Sequence, residues 1–365
     1  MFPLLLLLLF LQTFSSAFCP VPTTKTRRDC SLAAYSVTSR TAPAIQSTRE
    51  KPIVVIGAAG KTGRIITQIL AEQGQHVRAV TRTEKYLTNL KPSSLEYLSY
   101  GVADVTDYDA VLSVLKQGAS GVIWAATSSG KKGGGDAVEV DYKGAYHVAK
   151  ACLACNVPKL AFLSAACVTH PNAPGSKAVN MLTQFTYGDT PWIDAKIAGE
   201  TAVRDLYAAN KKQKNSSYVV VRGGAPLVNK PPVPVEELMV LQGDLYSSGV
   251  SISRTNVARM VVSALLRGKA TDGTTFEVCP ATRLYKNEEA NFLDLVGLPS
   301  LHQTKDPDLP RELIHRNAHS YEGLLDGLKT DDEMQKEYGS IVTGYRGDSV
   351  HAVDDFNAGN PALQS

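Results

Sequence analysis

The sequence predicts an α/β protein built on a doubly wound parallel sheet of about seven strands, and three observations carry that expectation. The run Pro52-Ile53-Val54-Val55-Ile56 is almost wholly β-branched, as in a parallel strand covered on both faces. A glycine-rich turn, Gly57-Ala58-Ala59-Gly60-Lys61-Thr62-Gly63, follows at once. Ile65, Ile66, Ile69 and Leu70 then recur at helical spacing up to Gly74, and residues 76–81 read as a second strand. Further strand-like runs follow at the spacing of strand–helix units, at residues 95–99, 121–125, 159–164, 217–222 and 274–278, with helices expected near 138–155 and 193–209.

The strand, glycine turn, helix and strand at 52–81 form the context in which such a turn binds a dinucleotide. Its first glycine permits the tight turn, its second lets backbone N–H groups approach a pyrophosphate, and its third lets helix and strand touch. Gly57, Gly60, Lys61, Thr62, Gly63 and Arg64 are therefore the candidate cradle of a Rossmann-type domain. A P-loop also ends in Gly-Lys-Thr, but it requires a further glycine at the position held by Val55, which removes that reading and with it an ATP-utilising enzyme. About twenty residues past the last glycine, NAD-binding chains place a carboxylate on the ribose 2′-hydroxyl. This chain has Arg82 there, and its fork of donors matches a 2′-phosphate, so NADP is expected over NAD, with Arg64 as a second cation.

A formal charge of +3 over 365 residues, with no dense run of basic residues, gives no reason to expect a nucleic-acid partner. At the amino end, Leu4 to Leu9 with Phe10 and Leu11 is about half as long as a bilayer span, so no transmembrane helix is expected in the mature chain. Ser15 and Ala17 place small side chains where a signal peptidase reads, giving a signal peptide over residues 1–17; a short buried helix is the alternative. Residues 18–50 set Lys25, Arg27, Arg28, Arg40 and Arg49 against Asp29 and Glu50 among many Ser and Thr, the composition of a transit peptide or linker. The stretch Ser16-Ala17-Phe18-Cys19-Pro20 resembles the cleavage motif of the bipartite presequences of diatoms and related algae, which implies import into the stroma of a secondary plastid; secretion is the alternative. Cys152, Cys155, Cys167 and Cys279 are too sparse for a secreted disulfide scaffold. Residues 51–284 are taken as the nucleotide-binding domain and 285–365 as an extension holding a short helix or two and a partly ordered tail. His315 and His319 could share a helix face there, but nothing completes a metal set, and no metal is expected.

Residues 51 to about 280 resemble an atypical short-chain dehydrogenase/reductase of the NmrA-like kind. The resemblance lies in the glycine turn with Arg64, Ala103-Asp104-Val105, Val140-Asp141-Tyr142-Lys143-Gly144, Leu163-Ser164-Ala165, Val221-Arg222-Gly223-Gly224 and Ile252-Ser253-Arg254-Thr255-Asn256-Val257-Ala258. It implies that Asp104 and Val105 line an adenine, that Ala125, Ala126 and Thr127 line the adenosine ribose, and that Gly223 marks the nicotinamide end. Active relatives pair a tyrosine with a lysine four residues on, the lysine lowering the phenol's pKa. Lys196 matches the lysine, but Trp192 stands at the tyrosine's place, and an indole cannot act as an acid near neutral pH. Tyr207 and Lys211 repeat the spacing about ten residues further along the same helix, roughly 15–20 Å from Lys196, and are a decoy. Ser164 is the candidate to polarise a carbonyl, though Ala165 and Ala166 follow where active members often continue with serine, and Tyr187 is the candidate substitute acid.

Two readings follow, both with a nicotinamide dinucleotide as partner. One is an NADPH-dependent oxidoreductase on a small carbonyl or quinone; the other is a catalytically silent NADPH sensor or scaffold acting through a plastid protein.

Overall fold

A computed structural model describes residues 45–84, 87–88, 90–128, 135–166, 168–169, 192–211, 215–224, 227–243, 251–281 and 314–338. The signal-peptide and cleavage-motif residues, Cys167 and Tyr187 lie outside them. In chain order the elements that position the site are β1 (Ile53–Ile56), α1 (Lys61–Glu72), β2 (Val77–Thr81), β3 (Leu98–Val102), α2 (Tyr108–Lys116), β4 (Gly121–Trp124) and a π-helical stretch (Val138–Gly144) that runs into α3 (Ala145–Ala154). There follow β5 (Lys159–Ala165), α4 (Trp192–Ala209), β6 (Ser217–Gly223), β7 (Leu227–Val228), β8 (Leu238–Leu241), β9 (Ile252–Ser253), α5 (Arg254–Leu266), β10 (Thr274–Pro280), β11 (Ile314–Arg316) and α6 (Asp331–Tyr338).

Among the described residues the main sheet has nine strands in the order β11-β8-β10-β6-β5-β4-β1-β2-β3. Every pairing from β10 to β3 is parallel, and these are the seven strands expected from the sequence. The chain adds what periodicity did not show: β8 pairs antiparallel with β10, and β11 antiparallel with β8. Strand β3 begins later than expected because Pro92–Tyr97 forms a 3-10 helix with proline at its start, where a fixed φ favours helical geometry.

Successive side chains of a strand face opposite layers. Ile53 and Val55 accordingly join the core beneath α1 and α5, while Val54 and Ile56 join the core beneath α2, α3 and α4. All four residues of β1 are buried, as a doubly covered strand requires. Asp107 caps α2 by accepting from the N–H groups of Asp109 and Ala110, and Gly74, at φ +74°, turns the chain out of α1.

Both flanks of this body are tied down by specific contacts. Ile45 is buried, and Ser47 Oγ accepts from the His76 N–H at 2.7 Å while donating to Gln75 Oε1 at 2.8 Å. Residues 314–338 supply β11 and α6, with Tyr321, Leu324, Leu325 and Met334 buried. Asp331 Oδ2 accepts from Tyr218, Thr275 and Arg204 at 2.9, 2.8 and 3.3 Å. His315 lies on β11 and His319 in the loop beyond, so the two do not share a helix face; the intervening Asn317 takes a left-handed φ of +59° that a helix does not contain.

Candidate functional site

Among the described residues, the glycine turn, Arg82, Asp104 and Ala125 follow the carboxyl ends of β1, β2, β3 and β4, where open α/β sheets hold their ligands. Gly57 follows β1 with φ +81°, and a Cβ there would lie 2.7 Å from the backbone nitrogen of Ala126. A Cβ on Gly63 would lie 2.3 Å from the Gly57 carbonyl oxygen, so α1 touches the end of β1. A Cβ on Gly60 would meet only that same carbonyl at 3.1 Å and the Ala125 carbonyl at 3.9 Å, which leaves its outer side clear. The residues thus meet the three demands of a dinucleotide turn, with the N–H groups of Lys61, Thr62 and Gly63 at the open first turn of α1. Arg82 follows β2 and is exposed, and Arg64 is half-buried on α1.

After β3, Asp104 Oδ1 accepts from the N–H and hydroxyl of Thr106 at 3.0 and 2.9 Å, forming a local turn. Val105 packs where Gly144 leaves room: a Cβ there would approach the Val105 side chain to 2.7 Å. Ala125, Ala126 and Thr127 follow β4, and the backbone of Ala125 and Ala126 lies against the glycine turn.

Thr127 and Lys196 are joined through a shared acceptor, Asp141. Asp141, in the π-helical stretch and 1% exposed, accepts from Thr127 Oγ1 at 2.7 Å and Lys196 Nζ at 2.8 Å on one oxygen. Its other oxygen accepts from the Ser128 N–H at 2.9 Å and the Ser128 hydroxyl at 2.6 Å. The Trp192 indole donates to Thr127 Oγ1 at 3.3 Å, and the Lys196 ammonium sits 4.6 Å from the centroid of its ring. Where a phenol is expected, Trp192 therefore presents an aromatic face to Lys196 and spends its one donor on Thr127.

The other candidates lie differently. Ser164, near the end of β5, is buried beside the Glu200 carboxylate. Its neighbour Ala165 packs with Trp192 against Val168, Ile193 and Ile197, so an apolar wall borders Lys196. Gly223 is buried at the end of β6 against Leu227 and Val257. Tyr207 is buried in the core, its pKa raised by desolvation, while Lys211 pairs on the surface with Asp332. Cys152 is a fully buried core residue whose thiol is likewise pushed up by burial. No cluster of metal-ligating side chains occurs among the described residues.

Sequence reasoning assigned no role to Asp141 or to the cluster behind Lys196. Arg222 and Arg204 both bind Glu200 Oε2 at 2.7 Å, and Arg222 also reaches Glu277 at 3.3 Å. Burial would raise the Glu200 pKa, but the two guanidiniums outweigh it and hold the carboxyl at about 2. The available signal was a carboxylate among apolar helical residues, which asks for a buried cation as partner.

A cavity of about 580 Å³ opens at the opposite, amino end of the strands, lined by residues such as Lys51, Lys116, Cys155 and Pro158. None of the candidate site residues borders it.

A family model described as NAD(P)H-binding matches residues 57–267. An uncharacterized chloroplastic protein of Arabidopsis thaliana is 29% identical over 254 residues, 68% of this chain and 82% of that one. Among solved structures, a short-chain dehydrogenase/reductase of Veillonella parvula in complex with NADP aligns at TM-score 0.46 and 16% identity, covering 63% of this chain and 94% of that one. The oxidoreductase ylbE of Lactococcus lactis aligns at TM-score 0.46 and 17% identity, covering 66% and 98%. No helix of the described residues is long and apolar enough to cross a membrane.

Proposed function

The chain belongs to the NAD(P)H-binding family through residues 57–267, and from that premise we propose that it is an NADPH-dependent oxidoreductase acting on a small carbonyl or quinone in a plastid. The observation that carries this reading is the buried Lys196 ammonium, held by Asp141 in direct continuity with the glycine turn through Thr127 and Ala126.

The turn fits a pyrophosphate because a side chain is excluded at Gly57 and Gly63 while Gly60 stays open on its outer side. Asp104 and Val105 border the adenine end, and Ala125 to Thr127 the neighbouring ribose. Arg82 and Arg64 supply cations for a 2′-phosphate, which favours NADP over NAD. A bound nicotinamide dinucleotide supplies the hydride. Lys196 keeps donors beyond the one given to Asp141, and these hold ribose hydroxyls and pass a proton toward the substrate. The apolar wall of Ala165, Ile193 and Trp192 excludes water from that end. Tyr187 is the proposed substitute acid. Address rests on the Ala17-Phe18 pattern and on the chloroplastic relative.

Trp192 favours a second reading, an NADPH sensor without turnover, because its indole occupies the acid's place and its N–H is committed to Thr127. NADPH consumption over a panel of quinones and ketones separates the two. Under the first, Lys196→Ala lowers kcat by about 10²–10⁴-fold with a modest loss of cofactor affinity. No turnover on any substrate, with cofactor still bound, supports the second.

A further inference from the structure

The carboxylate of Asp141 is fully used. Four donors converge on its two oxygens, and it is 1% exposed. The Thr127 hydroxyl donates to Asp141, so its lone pair is what receives the Trp192 N–H. Donors thus run from Trp192 through Thr127 to Asp141, and from Lys196 to the same carboxylate oxygen. The charge of Lys196 is cancelled at 2.8 Å by a buried partner. The next buried carboxylate along α4, Glu200, is taken by Arg204 and Arg222, which pair in turn with Asp331 and Glu277, so these charges are partnered among themselves and not with Lys196.

We propose that Asp141 is the positioning residue and counter-charge of Lys196, which makes the hydride end of the site electrically neutral, so that it accepts a cationic nicotinamide ring as well as a neutral one. The inference rests on the cofactor reading above. Its physical basis is that the oxidised nicotinamide carries a positive charge and the reduced one does not. An uncompensated lysine ammonium beside the ring would repel the oxidised form alone, whereas the ion pair lets either form bind. A packing role would weaken both forms equally.

The test is the ratio of dissociation constants, oxidised over reduced, for NADP measured by titration calorimetry on the full chain. Asp141→Asn leaves Lys196 uncompensated and should raise the ratio about fivefold to tenfold. Lys196→Met leaves Asp141 alone and should lower it by a similar factor, which keeps the test open if the first variant does not fold. Asp141→Asn combined with Lys196→Met restores neutrality, and its ratio should return to that of the parent chain. A ratio unchanged in either folded single variant, with both forms weakened alike, would overturn the proposal while leaving the cofactor reading intact. A parent chain that binds neither form would overturn the cofactor reading and this inference with it.

Discussion

Gly199 sits against Asp141: a Cβ on Gly199 would lie 2.2 Å from the Asp141 carbonyl oxygen. That close approach, one turn beyond Lys196 on α4, is what brings the lysine to the carboxylate. Gly199→Ala must push α4 away from the π-helical stretch, so it should destabilise by about 1–3 kcal/mol and also weaken cofactor binding. Thermal melts with and without NADPH check both effects. A melt matching the parent chain would mean that the contact does not set the helix position.

Acid should loosen the cluster behind the site. The Glu200 pKa, with an ordinary value of 4.5, is held at about 2 in the folded chain, burial opposing and Arg222 and Arg204 outweighing it. A depressed folded-state pKa stabilises fully above the unfolded value, and this contribution is lost as pH falls from the ordinary carboxylate range toward 2. Glu200→Gln leaves Arg222 buried without its main partner, which should cost about 3–5 kcal/mol near neutral pH and flatten the acid limb of the stability curve. Circular dichroism melts between pH 7 and 2.5 read both changes, and an acid limb as steep as the parent's would contradict the assignment.

The folded body starts before the first strand. Ile45 is buried and Ser47 bridges Gln75 and the His76 N–H, so a chain begun at Lys51 should be less stable than one begun at Pro43 by about 1–3 kcal/mol. Denaturant titrations of the two lengths give the comparison, and equal midpoints would show that residues 43–50 contribute nothing.

Local chemistry was legible in the sequence, and non-local pairing was not. The β1 turn could be read because each glycine's role depends on neighbours within a few residues, and the structure shows the crowding at Gly57 and Gly63 directly. Central parallel strands such as β1 and β4 could be read because burial on both faces leaves continuous apolar runs. Strand β8 and its pairing with β11 could not, since antiparallel addition at a sheet edge depends on segments more than seventy residues apart. The ion pair of Asp141 with Lys196 spans 55 residues and was hidden for the same reason. The literal match of Tyr207 and Lys211 shows the reverse error that spacing alone invites, for one is buried in the core and the other is paired at the surface.

Trp192→Tyr restores a phenol at the spacing that active relatives use, beside an ammonium now 4.6 Å from the indole ring centroid. Under the oxidoreductase reading the variant should oxidise NADPH faster than the parent chain on at least one carbonyl of a broad panel. Cofactor still bound and no gain on any of them would favour the sensor.

Under the proposed function the glycine turn holds a nicotinamide dinucleotide whose 2′-phosphate meets Arg82. Titration calorimetry of the full chain with NADPH and with NADH tests it most directly. NADPH should bind more tightly, and Arg82→Glu should remove the advantage by about tenfold or more in affinity. Equal affinities, or a preference for NADH, would contradict it.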